Sequence, residues 1–349
     1  MTSEMWLRRA EAMAAEGRCL EAIDVLSDAN RDLGSPAIEE RLVVLRRQAF
    51  AEVRGSRGRA SWPPTFEDPF EGSEGVVETS AQHLSVEVLG GAVQHHGCLL
   101  VRELMSQPSV DRLVHAVERS SEAQQAWHQG APLSQTTPWY VPMPSDRPGN
   151  HADAKRGLPL DLNRVCLADS PRAMFEVVEA FRQSGIDRLV TGYLGDRPVM
   201  TEKKWLLWRM DRRADVFAFH QEASVFNSGD DGLPSGKEPI PLRALNVWIA
   251  LSHCGQTSPG FQFYPRRMSH VVEPDQLFGL KADTLEGVTG GTAVAAPIYA
   301  PGDAVLFDEF LLHRTKSDAS MADVRYSLES WMFAPSGHPE RDRQGPLVL

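Results

Sequence analysis

Cysteine is scarce in this chain: four residues in 349, Cys19, Cys98, Cys166 and Cys254, far apart and with no Cys-x-x-Cys pair. That excludes a disulfide scaffold and a thiolate zinc knot, and the four read as free thiols in a reducing compartment. Positive charge is also short. Lys and Arg number 36 against 47 Asp and Glu, giving a net charge of -11 and a pI near 5.5. Such a balance argues against a nucleic-acid footprint and against an anionic membrane surface as partner. No stretch reaches the ~18 uninterrupted apolar residues of a spanning helix. Met1-Thr2-Ser3-Glu4 lacks the basic stretch and apolar run of a secretory signal, so a cytoplasmic protein is expected.

What remains is ordinary globular composition, 42% hydrophobic and 24% charged, on a chain long enough to bury a large core. Residues 1–53 carry helical periodicity. Thr2 or Ser3 can cap a first helix with Trp6, Ala10, Met13 and Ala14 on one face. A second runs from Leu20 to about Gly34, and Ser35-Pro36 opens a third. The turn at Gly17 resembles that of a tetratricopeptide hairpin, but it does not recur, so a repeat array is excluded. The segment reads as a cap on the main domain or, alternatively, as a docking surface. Residues 54–80 form an Arg/Gly/Ser/Pro-rich arm, 81–335 the main domain, and 336–349 a tail.

Within the main domain, helices are expected over 109–126, from Pro171 to about Phe181, and over 186–194, with a long Pro/Gly-rich loop over 127–163. From Val199 onward the pattern turns to strands: 203–210, 217–226, 242–251, 261–264, 304–307, 311–313 and 325–333. Short strands at this spacing point to a β-sandwich or jelly roll.

His220-Gln221-Glu222 places an imidazole and a carboxylate two residues apart, on one side of an extended strand. One His and one carboxylate are two thirds of the triad that binds non-heme Fe(II). The pattern also occurs at His151-Ala152-Asp153 and His338-Pro339-Glu340, in Pro-containing stretches with no strand signal. His313, 93 residues beyond His220 and just after Phe310-Leu311-Leu312, supplies the second imidazole. Arg325 and Ser327 then share one side of the last strand, a guanidinium fork beside a hydroxyl. That pair suits a carboxylate such as the distal end of 2-oxoglutarate. A rival set of His151, Asp153, His253 and Arg266 falls in turns and loops that no strand brings together.

In order, His220-x-Glu222, Asn246-Val247-Trp248-Ile249-Ala250-Leu251, Tyr264-Pro265-Arg266-Arg267-Met268-Ser269-His270, Pro301-Gly302-Asp303, His313 and Arg325 resemble the phytanoyl-CoA dioxygenase family. The resemblance covers roughly 85–333. It implies an α+β fold with a double-stranded β-helix (jelly roll, cupin-like) core, flanking helices and an N-terminal helical segment. It implies catalysis with Fe(II), 2-oxoglutarate and O2, with iron on His220, Glu222 and His313. It further implies that Arg325 and Ser327 hold the 2-oxoglutarate tail, that Trp248 lies against it, and that an upstream basic residue assists. Arg209 is the candidate for that last role, ahead of Lys203.

Two departures stand out. The carboxylate is Glu rather than the commoner Asp; its presence argues against halogenation, which needs that position vacated for chloride. The segment after Pro265 carries Arg266 and Arg267, which could meet an anionic substrate. The expected activity is oxidation of an unactivated C–H bond of a small molecule, with 2-oxoglutarate converted to succinate and carbon dioxide. The alternatives are a carrier-tethered substrate docked on the N-terminal helices, and a non-catalytic binding module of the same fold.

Overall fold

The N-terminal periodicity becomes three consecutive helices and one extra turn. In the computed structural model these are α1 (Ser3–Ala15), α2 (Cys19–Leu33), α3 (Pro36–Gln48) and α4 (Phe50–Val53). The structure describes residues 1–55, 61–142, 164–210, 218–227, 242–276, 279–337 and 346–349. The Thr2 hydroxyl accepts from Met5 N at the start of α1. α2 stops at Gly34, whose φ of 53° is a left-handed value that a residue without Cβ adopts cheaply.

The next elements are β1 (Glu78–Ser80), α5 (Val86–His96), β2 (Cys98–Arg102), α6 (Gln107–His128) and α7 (Leu133–Thr136). Then come β3 (Arg164–Cys166), α8 (Pro171–Ser184), α9 (Ile186–Leu194), β4 (Val199–Met210) and α10 (Glu222–Asn227). The chain closes with β5 (Ala244–Ala250), β6 (Gly260–Arg267), α11 (Ala282–Thr289), β7 (Ala304–Phe307), β8 (Leu311–Lys316), β9 (Arg325–Phe333) and β10 (Leu347–Val348). Among the described residues, no helix is long and apolar enough to cross a membrane.

The strands form two sheets. The large one has the order β1-β2-β7-β5-β9-β4-β10, with β3 beside β4; the small one pairs β6 with β8. One face of the large sheet carries Leu99, Leu207, Val247, Leu306 and Leu328, and helices α5, α6, α8 and α9 cover it. The other face carries Leu100, Trp248, Val305 and Phe307, which pack on Phe261, Phe263 and Leu311 of the small sheet. Burial on both faces is why β5 is buried at every position and reads as a continuous apolar run rather than an alternating one. The result is a jelly roll with helices packed outside.

The N-terminal helices share a core with this jelly roll. Ala22, Ile23 and Leu26 of α2 and Ile38, Leu42 and Leu45 of α3 form one cluster with Val199, Ala244, Trp331, Phe333 and Val348. Polar ties reinforce it. Arg31 meets Glu179 of α8 at 2.8 Å, Arg172 of α8 meets Glu39 at 2.6 Å, and the buried Arg46 donates to the Val348 carbonyl at 2.8 Å.

Several expectations are corrected. The arm does not stay outside the sheets, since β1 runs parallel to β2. Nor does the tail trail off: Leu347 and Val348 pair with Met200 and Val199, because an apolar C-terminus gains burial and satisfies the β4 edge. The strand expected to end at Tyr264 continues through Pro265 to Arg267. Its register with β8 slips between Phe263 and Arg267, where a residue without an N–H donor is tolerated. The Gly-rich stretch around 287–291 contains most of a helical turn, as α11 ends at Gly290 with φ 59°. Trp127 lies within α6 and Tyr140 is buried, so part of the expected 127–163 loop is ordered. Its remainder at 143–163, with His151 and Asp153, lies outside the described residues, as do 211–217, 228–241 and 338–345.

Candidate metal centre and anion anchor

His220 and His313 face each other as a bridged antiparallel pair, exchanging both backbone bonds, N to O, at 3.0 Å each way. Opposed residues in such a pair place their side chains on one face. The imidazole centroids are accordingly 4.5 Å apart. Nδ1 of His220 is 2.8 Å from the Ala218 carbonyl, and Nδ1 of His313 is 3.0 Å from the Leu311 carbonyl. A carbonyl only accepts, so each Nδ1 carries a proton, and in the neutral ring Nε2 is then the lone-pair nitrogen.

Glu222 completes the group. One ligand atom from each of His220, Glu222 and His313 lies within 4.8 Å of the others, with Glu222 and His313 buried. Glu222 Oε1 stands 3.1 Å from His313 Nε2. With the ring neutral, the state in which it ligates a metal, that places a nitrogen lone pair opposite a carboxylate oxygen. Such an approach is favourable when a cation sits between the two atoms, and neutral imidazole nitrogens with a carboxylate are a donor set for a divalent transition metal. The residues present fit an iron ion.

Glu222 reaches this position by a different route from the one expected. Only His220 pairs like a strand residue, and Glu222 is the first residue of helix α10. The two side chains converge because the chain turns at Gln221, not because they alternate along a strand. Phe217 of the expected strand lies outside the described residues.

Arg325 and Ser327 lie on the inner face of the large sheet, opposite Met210 and Trp208 respectively on β4. Arg325 is 3% exposed; its Nη1 makes one long bond, 3.5 Å, to the Gly260 carbonyl, and its Nε is buried without a partner among the described residues. Burial pushes this guanidinium below its ordinary pKa, though an arginine stays charged. The buried Ser327 hydroxyl also lacks a partner among the described residues. Asp308 is not available to Arg325, because it pairs with Arg267. A buried cation beside an unused hydroxyl is a site for a carboxylate. An aromatic floor joins it to the triad: His313 stacks on Phe261 at 5.1 Å, Phe261 stacks on Trp248 at 5.3 Å, and the Arg325 Cζ lies 5.8 Å from the Trp248 ring.

A model of the phytanoyl-CoA dioxygenase family matches residues 94–325, about two thirds of the chain. The protein belongs to the phytanoyl-CoA dioxygenase family. It is therefore an Fe(II)- and 2-oxoglutarate-dependent oxygenase by membership. The matched stretch contains His220, Glu222 and His313 and ends on Arg325. No curated protein sequence matches the chain.

Solved structures share the fold at low identity. EctD from S. alaskensis, crystallised with 2-oxoglutarate and 5-hydroxyectoine, is 16% identical, with 81% of this chain and 88% of that chain covered and a TM-score of 0.50. AviO1 from Streptomyces viridochromogenes Tue57 is 17% identical over 71% and 94%, at a TM-score of 0.45.

Of the other residues expected at the site of this phytanoyl-CoA dioxygenase family member, Trp248 lies in the floor and Arg209 lies elsewhere. Arg209 is opposite Tyr326, on the face of β4 turned to the helices, and Tyr326 in turn donates to Glu118 of α6. Neighbours along a strand point to opposite faces, so Arg209 cannot join Arg325, and that assignment is withdrawn. The side chain of Lys203 lies outside the described residues. Arg266 donates to the Val288 carbonyl at 2.9 Å, and Arg267 is engaged by Asp308. Both line a cleft of about 540 Å³ with Ser269, His270 and Val288.

Two inner residues were not anticipated. Asn246 is buried opposite Phe307 and Trp331, with its Oδ1 unpartnered among the described residues. Gln221 is buried between the two ligand candidates. The alternation of Asn246 with Trp248 was a usable signal for the first; nothing local marked the second.

Proposed function

We propose that His220, Glu222 and His313 hold the iron, that Arg325 and Ser327 hold the distal carboxylate of 2-oxoglutarate, and that the enzyme oxidises a C–H bond of a small molecule in the cytoplasm. The observation that most supports this is the pair of imidazoles whose Nδ1 protons are tied to backbone carbonyls, with a carboxylate oxygen 3.1 Å from one Nε2. When bound, iron and 2-oxoglutarate supply the oxidising power: dioxygen is consumed, 2-oxoglutarate becomes succinate and carbon dioxide, and the substrate C–H bond is oxidised.

The chain's own residues bind and orient. The backbone carbonyls of Ala218 and Leu311 fix the imidazole tautomers and ring planes, as outer partners of metal-bound histidines do. Arg325 offers a charged fork and Ser327 a hydroxyl to one end of the keto acid. Phe261 and Trp248 line the space between that end and the triad, where they face methylene groups and exclude water. Trp248 beneath the guanidinium adds a cation–π contact at the outer limit of its range.

Residues 1–53 act as a cap on the oxygenase domain of 81–335 rather than as a dock for a carrier protein. Their apolar faces are spent on the cluster shared with β4, β5, β9 and β10. A small-molecule substrate free in solution suits that arrangement; EctD, for comparison, was crystallised with the small molecule 5-hydroxyectoine.

The test is an anaerobic titration of the purified protein with Fe(II) and 2-oxoglutarate, followed by its visible charge-transfer absorption. Chelation of iron by the keto acid should produce a band that the His313→Ala variant lacks. No band in the wild type, or an equal band in the variant, defeats the assignment.

A further inference from the structure

We infer that Gln221, the residue between His220 and Glu222, is a positioning residue that sets the geometry of the metal site; the inference rests on the triad assigned above. Its side chain is 1% exposed and makes three bonds to main chain from two other segments. Nε2 donates to the Phe310 carbonyl at 2.9 Å and to the His270 carbonyl at 3.2 Å, and Oε1 accepts from Val272 N at 2.7 Å. Both N–H donors and the carbonyl oxygen of the amide thus meet three partners, all of them backbone.

The partners explain the role. Phe310 lies three residues before His313, at the turn that feeds β8. His270 and Val272 belong to the loop after β6, the strand that pairs with β8. Gln221 therefore ties the turn carrying His220 and Glu222 to the turn that leads into His313 and to the loop leaving the neighbouring strand. The turn has a second attachment, as Ala223 N donates to the Glu309 carbonyl at 3.1 Å. The Ser224 hydroxyl closes it by donating to the Gln221 carbonyl at 2.7 Å.

Glu222 needs this fastening more than His220 does. His220 is held by the reciprocal pairing with His313, whereas Glu222 opens the short helix α10 outside both sheets. With Gln221 replaced by an apolar residue, three main-chain groups, of which Val272 N is in a buried bond, lose this partner, and the helix start carrying Glu222 is free to shift relative to His313. Iron affinity and ligand-field symmetry should change; affinity for 2-oxoglutarate at the distant Arg325 should not.

The experiment compares wild type with Gln221→Met, which keeps the shape, and Gln221→Glu, which keeps the acceptor for Val272 but loses the donor. Leu26→Ala serves as a control destabilised far from the site. Iron affinity is read from anaerobic titration and site symmetry from the absorption spectrum of the Co(II)-substituted protein. Both Gln221 variants should weaken Fe(II) by about tenfold or more, the cost typical of losing an outer partner of a metal ligand, and should alter the Co(II) spectrum. The 2-oxoglutarate concentration for half saturation, measured at saturating iron, should move less than about twofold. Leu26→Ala should lower the melting temperature and leave both metal readouts unchanged. Wild-type iron affinity and an unchanged Co(II) spectrum in Gln221→Met overturn the inference, as does an equal loss of affinity in Leu26→Ala. Failure of the triad itself looks different, because His313→Ala would then bind iron as well as the wild type does.

Discussion

At the triad, two imidazoles are oriented by backbone carbonyls at 2.8 and 3.0 Å, and the turn before Glu222 is tied down by a buried amide. At the other end of the aromatic floor, a buried guanidinium has, among the described residues, a single long bond of 3.5 Å, an unpartnered Nε and an unpartnered hydroxyl beside it. On the proposed assignment, the metal end is organised by the fold and asks only for a cation. On the same proposed assignment, the anion end stores an unfavourable electrostatic term that a ligand would relieve. A site of this kind gains selectivity for a dicarboxylate: a molecule must chelate at one end and neutralise a buried charge at the other. Each end should therefore respond to mutation in its own way.

The largest effect is expected from His313→Ala. Removing one of two preset lone-pair nitrogens should abolish iron-dependent succinate formation, a loss exceeding the roughly 10- to 100-fold that follows when only an outer partner of a metal ligand is lost. Metal content after anaerobic loading and succinate release check this together; wild-type values of either would remove His313 from the site.

Arg325→Ala comes next. Losing charge-assisted hydrogen bonds of about 1.5–3 kcal/mol should raise the 2-oxoglutarate requirement roughly 10- to 100-fold while iron affinity holds. The contrast between the ends sharpens with Arg325→Met. Replacing a buried charge by a packed apolar side chain should raise the stability of the ligand-free protein by roughly 1–4 kcal/mol in a denaturant melt, even as 2-oxoglutarate loses its ability to stabilise it. A fall in ligand-free stability would mean that the arginine is satisfied by the protein after all.

The N-terminal cap offers the opposite profile, a large effect on stability with none on the ends of the site. Leu26 is fully buried in the cluster linking α2 to Trp331 and Phe333. Leu26→Ala should cost about 2–5 kcal/mol, as core truncations of this size do. Half-saturating 2-oxoglutarate should stay at its wild-type value. A cap that merely rests on the domain would lose far less.

Much of this was legible in the chain. β5 and β7 are buried, largely apolar runs, β8 opens on Leu311-Leu312 and β9 ends on Trp331-Met332-Phe333, and His313 and Arg325 could be placed beside such segments. The three ligand candidates and the cation could be named without coordinates. The route by which Glu222 arrives could not. It depends on Gln221 bonding to residues 49 to 89 positions away, which no local pattern encodes. The strand at 347–348 was hidden for another reason: two residues are too few to show a period, and only the open edge of β4 makes them a strand. Boundaries at turns and termini are where pairing decides and local preference does not.

Arg209 shows the same limit at single-residue scale and yields the smallest prediction. Along β4, Trp205 and Leu207 lie on one face and Leu206, Trp208 and Met210 on the other, and all five are buried. Both faces are apolar, so alternation says which residues share a side but not which side meets the ligand. Only the pairing of Arg209 with Tyr326, and of Met210 with Arg325, decides it. Arg209→Ala should therefore change half-saturating 2-oxoglutarate by less than about twofold, against the roughly 10- to 100-fold expected for Arg325→Ala. Its cost should appear instead as a small loss of stability, about 0.5–1.5 kcal/mol, from the side-chain interaction with the Tyr326 hydroxyl across the β4–β9 pair. If the two arginine variants raised the 2-oxoglutarate requirement alike, both side chains would have to reach the same ligand, and the β4–β9 register described here would be wrong.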